Sequence, residues 1–487
     1  MTRVILVQPW NYHDEGIKKH DLSNEWRNGP YSLLLLASEL KSHNHTVKIV
    51  DLHRDLVSFE GDLNKCLTNF AKDIEDFKPE IIGVTLFSIH FFEAKIIVKT
   101  ARKICDRLQI KPIILGGGIH VTLEPKSSLE QLDFDYVFVG EADIGIVDLA
   151  NGKDPLSIPG IADKNTIGNI SDPKQIRGVE VRDLDLLPFP DWSMIDYTFY
   201  SHPTYARVKT AKSSSLDIMM GRGCTKRCSF CAYSATSSVR YYSADYLIRQ
   251  IKYMINQFGI REFYFIDSSI GNNPKLLRAF CDKILETRLN ESIKWYGNIR
   301  VDQVDENLLK LMWDAGCRYL FYGFESGSQR ILDLMNKKVK VEDNYRVAEL
   351  HNKLKFPYNA SMIFGYPGER EEEIQESMKF LRAVLPPSVG INCYVPLPGS
   401  PDYYRLLQQG KIHIENPIEW KTIGECNPSR IYADIPKERF MELLNEAYYF
   451  AYTEIPQITK ERWSNCGDNA KSNLFNRMVN EIKNWIK

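Results

Sequence analysis

Residues 217–233 read DIMMGRGCTKRCSFCAY and place three of the chain's ten cysteines, Cys224, Cys228 and Cys231, within eight positions directly behind a short apolar run. A structural zinc site takes four nitrogen or sulfur ligands. The spacing C-x-x-x-C-x-x-C offers three, and the nearest upstream histidine, His202, lies more than twenty residues away. A cubane iron–sulfur cluster held by three thiolates leaves one iron without a protein ligand and open to a small molecule. Gly221 and Gly223, with the cations Arg222, Lys226 and Arg227, suit a loop wrapped closely around an anionic cluster, and Phe230 shields it ahead of the last cysteine.

Upstream of this loop, residues 1–150 alternate short apolar runs (RVILVQP, TVKIVDL, IIGVTL, PIILGGG, YVFVG) with amphipathic stretches. Strand and helix in strict alternation predict a parallel, doubly wound α/β sheet. Runs such as Ile113-Ile114-Leu115 are apolar on successive positions, as strands buried on both faces require. Ligands of such sheets bind beyond the carboxyl ends of the strands, here GVTLFS (83–88), LGGGIHVT (115–122) and VGEAD (139–143). The triplet Gly116-Gly117-Gly118 allows close approach of a bulky ligand or phosphate, or else makes a tight strand-to-helix turn. It is not a dinucleotide fingerprint, which places G-x-G-x-x-G after the first strand.

Residues 151–215 lose the alternation, and DLDLLPFPDWSMID breaks regular structure, so this stretch reads as a linker. From 216 to 405 six strand-like runs return with helices between them, predicting a curved or barrel-like parallel sheet, a partial (β/α)6 TIM barrel. Residues 406–487 are helical and aromatic and read as a packing cap.

Formal net charge is −1, from 62 Lys+Arg against 63 Asp+Glu, so no charge excess points to nucleic acid or an anionic membrane surface. No apolar stretch reaches the roughly 18–20 residues of a membrane span, and MTRVILVQPW reads as a buried strand, not an export signal. A cytoplasmic chain is expected. Its seven isolated cysteines (Cys66, Cys105, Cys281, Cys317, Cys393, Cys426, Cys466) then read as small buried apolar residues, not a disulfide framework.

The stretch 217–233 resembles the cluster loop of the radical S-adenosylmethionine (SAM) enzymes, with an aromatic before the last cysteine and a strand in front. GNIRVD (297–302), AGCRYLFYGFESGSQRIL (315–332), MIFGYPGE (362–369) and PLPGSPDYY (396–404) resemble later strand-end motifs of the subgroup with an N-terminal cobalamin-binding domain. PYSLLLLASELKSHNHTVKIVDL, GVTLFS, LGGGIHVT and GEAD look like that domain, and DLDLLPFPDW like its linker. The resemblance covers residues 1 to about 405. It departs in two places. Gly140-Glu141-Ala142-Asp143 stands where the family often has G-E-G-E, and the D-x-H-x-x-G motif that puts histidine under cobalt is absent. Asp51-Leu52-His53 continues to Leu56, and His53 there is either a cobalt ligand or a solvated strand-end residue.

The resemblance implies a 4Fe-4S cluster on Cys224, Cys228 and Cys231, SAM chelating the open iron, and a low-potential donor such as flavodoxin or ferredoxin. Reductive cleavage of SAM then yields a radical that takes hydrogen from an unactivated carbon of a small-molecule, lipid or peptide substrate, and methylcobalamin supplies a methyl group. Phe230, Asp267, Arg300 and Glu325 are the expected SAM contacts. Thr85, Ser88, Gly116, Gly117, Gly118 and Glu141 are the expected cobalamin contacts. Tyr233 is expected either near adenine or in the core. The family leaves two other outcomes open: cyclisation or rearrangement without methyl transfer, and a non-catalytic sensor.

Overall fold

Apolar runs on successive positions become strands covered on both faces: Val4, Ile5, Leu6 and Val7 are all buried, as are Ile81, Ile82 and Val84. The computed structural model describes residues 1–10, 29–170, 172–201, 215–235, 238–413, 430–460 and 463. They form two compact units. The first takes Met1–Phe199 together with Cys231–Arg240 and Pro396–Gly424, and the second takes Tyr200–Phe230, Tyr241–Val395 and Glu425–Lys487. Two later segments of the chain thus pack with the N-terminal sheet, Arg240 through Glu141 and Gly399 against Leu123.

The first unit holds β1 (Arg3–Gln8), β2 (Thr46–Asp51), β3 (Ile81–Thr85), β4 (Ile113–Gly117), β5 (Tyr136–Phe138) and β6 (Ile161–Ala162), in the spatial order β2-β1-β3-β4-β5-β6. The first five are parallel, and the order reverses between β1 and β3, the place where open α/β sheets bind ligands. The covering helices are amphipathic. Leu63–Phe77, for example, is capped by Asp62, which accepts from the N–H of Lys65, and buries Cys66, Phe70 and Ile74 at helical spacing. One element corrects the expected linker: Ile161 and Ala162 pair antiparallel with Phe138 and Val137. A two-residue strand between Gly160, at φ 99°, and the helix cap Asp163 carries too little periodicity to be seen in sequence.

In the second unit β7 (Ser215–Ile218), β8 (Glu262–Phe265), β9 (Lys294–Ile299), β10 (Cys317–Glu325), β11 (Tyr358–Phe364) and β12 (Ser388–Cys393) lie side by side in sequence order, all parallel, with helices between them. Alternation sorts their side chains. Phe265 packs edge-to-face with Phe280 and Trp295 at 5.4 and 5.7 Å on the helix side, while Tyr264 meets Phe321 at 5.6 Å on the other face. Helix Ala244–Phe258 is capped by Ser243 and ended by Gly259 in the left-handed conformation.

Cys66, Cys105, Cys281 and Cys317 are buried free thiols as expected. Cys393 corrects that expectation, for it is disulfide-bonded; a second sulfur within reach is a tertiary fact that spacing does not reveal. Cys426 and Cys466 lie outside the described residues, as do most of 202–215 and much of 406–487. The described C-terminal helix, Lys437–Tyr449, runs on through a π turn at Phe450–Glu454, whose Tyr452 hydroxyl accepts from the N–H of Ile391 at 3.3 Å. β12 is an edge strand, and this contact covers one of its free donors. No helix among the described residues is long and apolar enough to cross a membrane. Tyr452→Phe removes the acceptor and should lower stability by about 1 kcal/mol, read as a lower urea midpoint; an unchanged midpoint would show the edge to be satisfied otherwise.

Candidate active site

β7 pairs with β8 from Ser215–Glu262 to Ile218–Phe265, so the residues that follow both strands emerge at the same sheet end. There the carboxylate of Asp267 accepts from the backbone N–H of Met220 and of Gly221, each at 2.8 Å. Burial pushes its carboxyl up to about 7, against the pull of those two donors. Beyond this anchor the cysteine loop is held at nearly every residue. Gly223 turns at φ 83°, and its carbonyl accepts from the Ser268 hydroxyl at 3.3 Å. Thr225 donates to Asn272 at 3.0 Å, Lys226 to Asp302 at 2.9 Å, and Asn336 to the Arg227 carbonyl at 2.6 Å. Ser229 donates its N–H to the Met335 carbonyl at 2.9 Å, and its hydroxyl meets that of Tyr366 at 2.8 Å. The ends of β8, β9 and β11 and the turn after helix Gln329–Leu334, which follows β10, therefore all reach the loop.

A buried ionic network lies against the same loop. Arg300, just past β9, donates through Nε to Asp302 at 2.9 Å and through Nη2 to the Lys337 carbonyl at 2.7 Å, and its Nη1 lies 3.7 Å from Cys228 Sγ. Burial alone would raise Asp302, but hydrogen bonds from Arg300 and Lys226 hold its carboxyl below the usual range. Lys337 pairs with Glu325 and stands 5.8 Å from the centre of the Phe230 ring. Glu325 ends β10 at φ 63°, where the register with β11 shifts. A non-glycine residue in that region is costly and persists only where its surroundings over-determine it.

The structure thus brings the expected SAM contacts Phe230, Asp267, Arg300 and Glu325 to one place, with a difference from expectation. Asp267 uses both oxygens on loop backbone, and the Arg300 fork is turned to Asp302, Lys337 and Cys228, because these are the charges and dipoles that surround it once buried. Glu325 gives one oxygen to Lys337, and its Oε2 has no hydrogen-bond partner among the described residues. Tyr233 is half-exposed, not in the core. Lys337 and Asn336 were missed, since nothing in their local sequence marks them; Asp302 and Tyr366 stood inside the motifs GNIRVD and MIFGYPGE but were not singled out.

In the first unit Thr85 lies opposite Gly117 in the β3–β4 register. A Cβ on Gly118, whose φ is 96°, would come 2.8 Å from the Leu86 carbonyl and from Thr85 Oγ1, whereas a Cβ on Gly117 would meet nothing within 4 Å. Ser88 bonds His120 Nδ1 at 2.9 Å; burial pushes that imidazole down to about 3, so it is neutral. Thr85, Ser88, Gly117 and Gly118 lie at or just past the carboxyl ends of β3 and β4 with Phe87, which is 47% exposed. Two expected contacts sit differently. Gly116 makes room for Phe134, whose ring lies 2.6 Å from a would-be Cβ, and Glu141 forms a two-pronged ion pair with Arg240. His53 is buried in a short helix near Phe199, against the solvated position expected of a strand-end residue. His120 and Phe87 were overlooked because burial and exposure are tertiary properties.

Residues 218–381 match the family model of the radical SAM superfamily, and residues 28–150 match that of the B12 binding domain. The chain is a B12-binding radical SAM protein. Among its relatives is an uncharacterized methyltransferase of Pyrococcus horikoshii, 24% identical over 90% of this chain and 91% of that one. Another is the cytidylyl-2-hydroxyethylphosphonate methyltransferase of Streptomyces wedmorensis, 24% identical over 85% and 84%. The anaerobic magnesium-protoporphyrin IX monomethyl ester cyclase of Cereibacter sphaeroides is 25% identical over 84% of this chain and 64% of its own. The fold matches that of the radical SAM methyltransferase TsrM of Kitasatospora setae, TM-score 0.72 at 16% identity over 91% of this chain and 90% of that one.

These families imply a 4Fe-4S cluster and SAM in one half of this radical SAM protein and cobalamin in the other. Among the described residues no three His, Cys, Asp or Glu side chains form a ready-made metal site. The fit of a cluster therefore rests on donor chemistry: three thiols on one short loop, with a buried guanidinium at one of them. The fit of cobalamin rests on the open space above Gly117 at the carboxyl end of β4.

Glu369, in the radical SAM motif MIFGYPGE, is fully buried and accepts from the Gly365 N–H at 2.6 Å, while its Oε1 has no partner among the described residues. Burial pushes its carboxyl up to about 8, against the Gly365 and Tyr366 donors; Glu373 raises it further and Arg330 lowers it. As pH rises from 4.5 the unfolded chain releases this proton first, so stability falls until the folded group ionises near 8, by on the order of 5 kcal/mol at most. Urea unfolding of Glu369→Gln between pH 5 and 9 should show a flatter decline than the unaltered chain; parallel declines would assign the slope to other groups.

Proposed function

We propose that this radical SAM protein is a cobalamin-dependent C-methyltransferase acting on an unactivated carbon, with electrons from a low-potential donor. The observation that carries the reading is the three-cysteine loop itself, pinned from three strand ends and the turn after helix Gln329–Leu334 with a guanidinium on Cys228, in a chain that also has a B12 binding domain. Methyltransferases among its relatives, alike over nearly the whole length of both chains, support the reaction class. Along the chain the proposed domains are 1–150 for cobalamin, 151–215 as linker, 216–405 for the cluster and SAM, and 406–487 as a helical cap, with Ile161–Ala162, Cys231–Arg240 and Pro396–Gly424 packing with the first of them.

When bound, the cluster and cobalamin supply an electron that cleaves SAM and a transferable methyl group. The chain's own residues do the rest. Cys224, Cys228 and Cys231 hold the cluster. Asp267 fixes the start of their loop, and Phe230 covers it on the side where Lys337 stands. Glu325 presents Oε2 as an acceptor for SAM. Thr85, Ser88, Gly117 and Gly118 form the cobalamin edge, with Gly116 and Glu141 supporting it from the core and from the ion pair with Arg240.

The similarity to a cyclase favours a second reading, ring closure without methyl transfer. Incubation with SAM carrying a CD3 group separates the two: methyl transfer puts CD3 into the product, and ring closure does not. Anaerobically reconstituted chain should release 5′-deoxyadenosine from SAM with dithionite, and Cys228→Ala should lose this by more than about 100-fold. Full release by that variant would overturn the cluster assignment. For cobalamin, Gly117→Val should leave the stability of the unloaded chain, from urea unfolding, within about 0.5 kcal/mol while retention of hydroxocobalamin falls roughly tenfold. Gly116→Val should instead lose about 1–3 kcal/mol of stability against Phe134. Equal retention in Gly117→Val would move the cofactor elsewhere.

A further inference from the structure

We propose that Arg300 is a positioning residue that acts on the cluster through Cys228, and not the carboxylate fork for SAM. The inference rests on the reading that Cys228 is a cluster ligand. Arg300 is 6% exposed and each arm of its guanidinium is engaged: Nε and Nη2 by Asp302, Nη2 also by the Lys337 carbonyl, and Nη1 by Cys228 Sγ at 3.7 Å. A fork aimed at a substrate carboxylate needs two parallel N–H groups free. Turning this one outward would leave Asp302 and a buried carbonyl short of a donor.

The chemistry at the sulfur gives the device a direction. Asp302 is shared with Lys226, and Glu325 pairs with Lys337, so three cations face two carboxylates beside the loop. The network carries one positive charge in excess. One-electron reduction of a cluster adds a negative charge, and an N–H donor together with net positive charge at a ligand sulfur favours that reduced form. Arg300 therefore raises the reduction potential, which makes the first electron easier to accept from the donor. The neighbouring motif supports the assignment: Asp302 follows Arg300 by two residues, so GNIRVD carries both the cation and the group that aims it.

The test is an EPR-monitored potentiometric titration of the anaerobically reconstituted full chain, without SAM, in the unaltered protein, Arg300→Gln and Arg300→Lys. Arg300→Gln should bind as much iron and sulfide as the unaltered chain, with the ratio of reduced to oxidised cluster at a fixed potential roughly tenfold lower, equivalent to about 59 mV for one electron. Arg300→Lys, which keeps the charge but not the fork, should show a smaller shift in the same direction. SAM affinity, read from the change SAM makes in the spectrum of the reduced cluster, should stay within about twofold. An unchanged potential with SAM affinity lost by more than tenfold would overturn the proposal and return Arg300 to SAM. Where Arg300→Gln takes up no cluster, Arg300→Lys decides alone, an unchanged potential again overturning it. A reconstituted unaltered chain that holds no cluster would instead sink the assignment of Cys228.

Discussion

Two backbone N–H groups at the end of β7 converge on one buried carboxylate, Asp267, two residues past the end of β8. Strand pairing brings Met220, Gly221 and Asp267 to the same sheet end, and the carboxylate converts that proximity into a fixed direction for the chain leaving the strand. The contact positions everything that follows in the cysteine loop. A loop entered through a freely rotating junction would need its later anchors to supply that order at a higher entropic cost. With the entry set, short side chains suffice for the rest, and Thr225, Ser229 and Ser268 each reach their partner through a single hydroxyl.

Charge in this region is arranged for geometry more than for stability. Burying ions carries a desolvation cost that pairing only partly offsets. The group Arg300, Asp302, Lys226, Lys337 and Glu325 is accordingly a poor device for holding a fold together. It is a good one for holding directions, because each partner is satisfied in one arrangement. The left-handed backbone at Glu325 and the register shift before it point the same way: strain is retained at the strand end facing the loop, while the preceding residue of the same strand, Phe324, packs edge-to-face on Phe380 at 5.3 Å.

The glycine triplet of the first unit shows how one type of residue serves three physical ends in successive positions. Gly116 yields volume to Phe134, Gly117 leaves space open at the strand end, and Gly118 adopts a backbone angle that a side chain would bring against Leu86 and Thr85. The neighbouring acid, Glu141, is bound up with Arg240, a residue 99 positions away. Motif spelling is the same in each case, and only packing tells these roles apart.

Two parallel α/β sheets, their strands and the cluster loop were legible in the sequence, because buried parallel strands impose runs of apolar residues and the three-thiol spacing is a local covalent pattern. The antiparallel pairing of Ile161 with Phe138, the packing of Cys231–Arg240 and Pro396–Gly424 with the first unit, and the disulfide at Cys393 were not. Each depends on contacts between residues far apart in the chain, which no periodicity records. The candidate site divides in the same way. By itself the sequence determined which residue types gather at the strand ends. Only the tertiary structure decided which of them are already engaged, turning Asp267 to a backbone and Arg300 to a sulfur, because a buried charge must take the partners that folding places beside it.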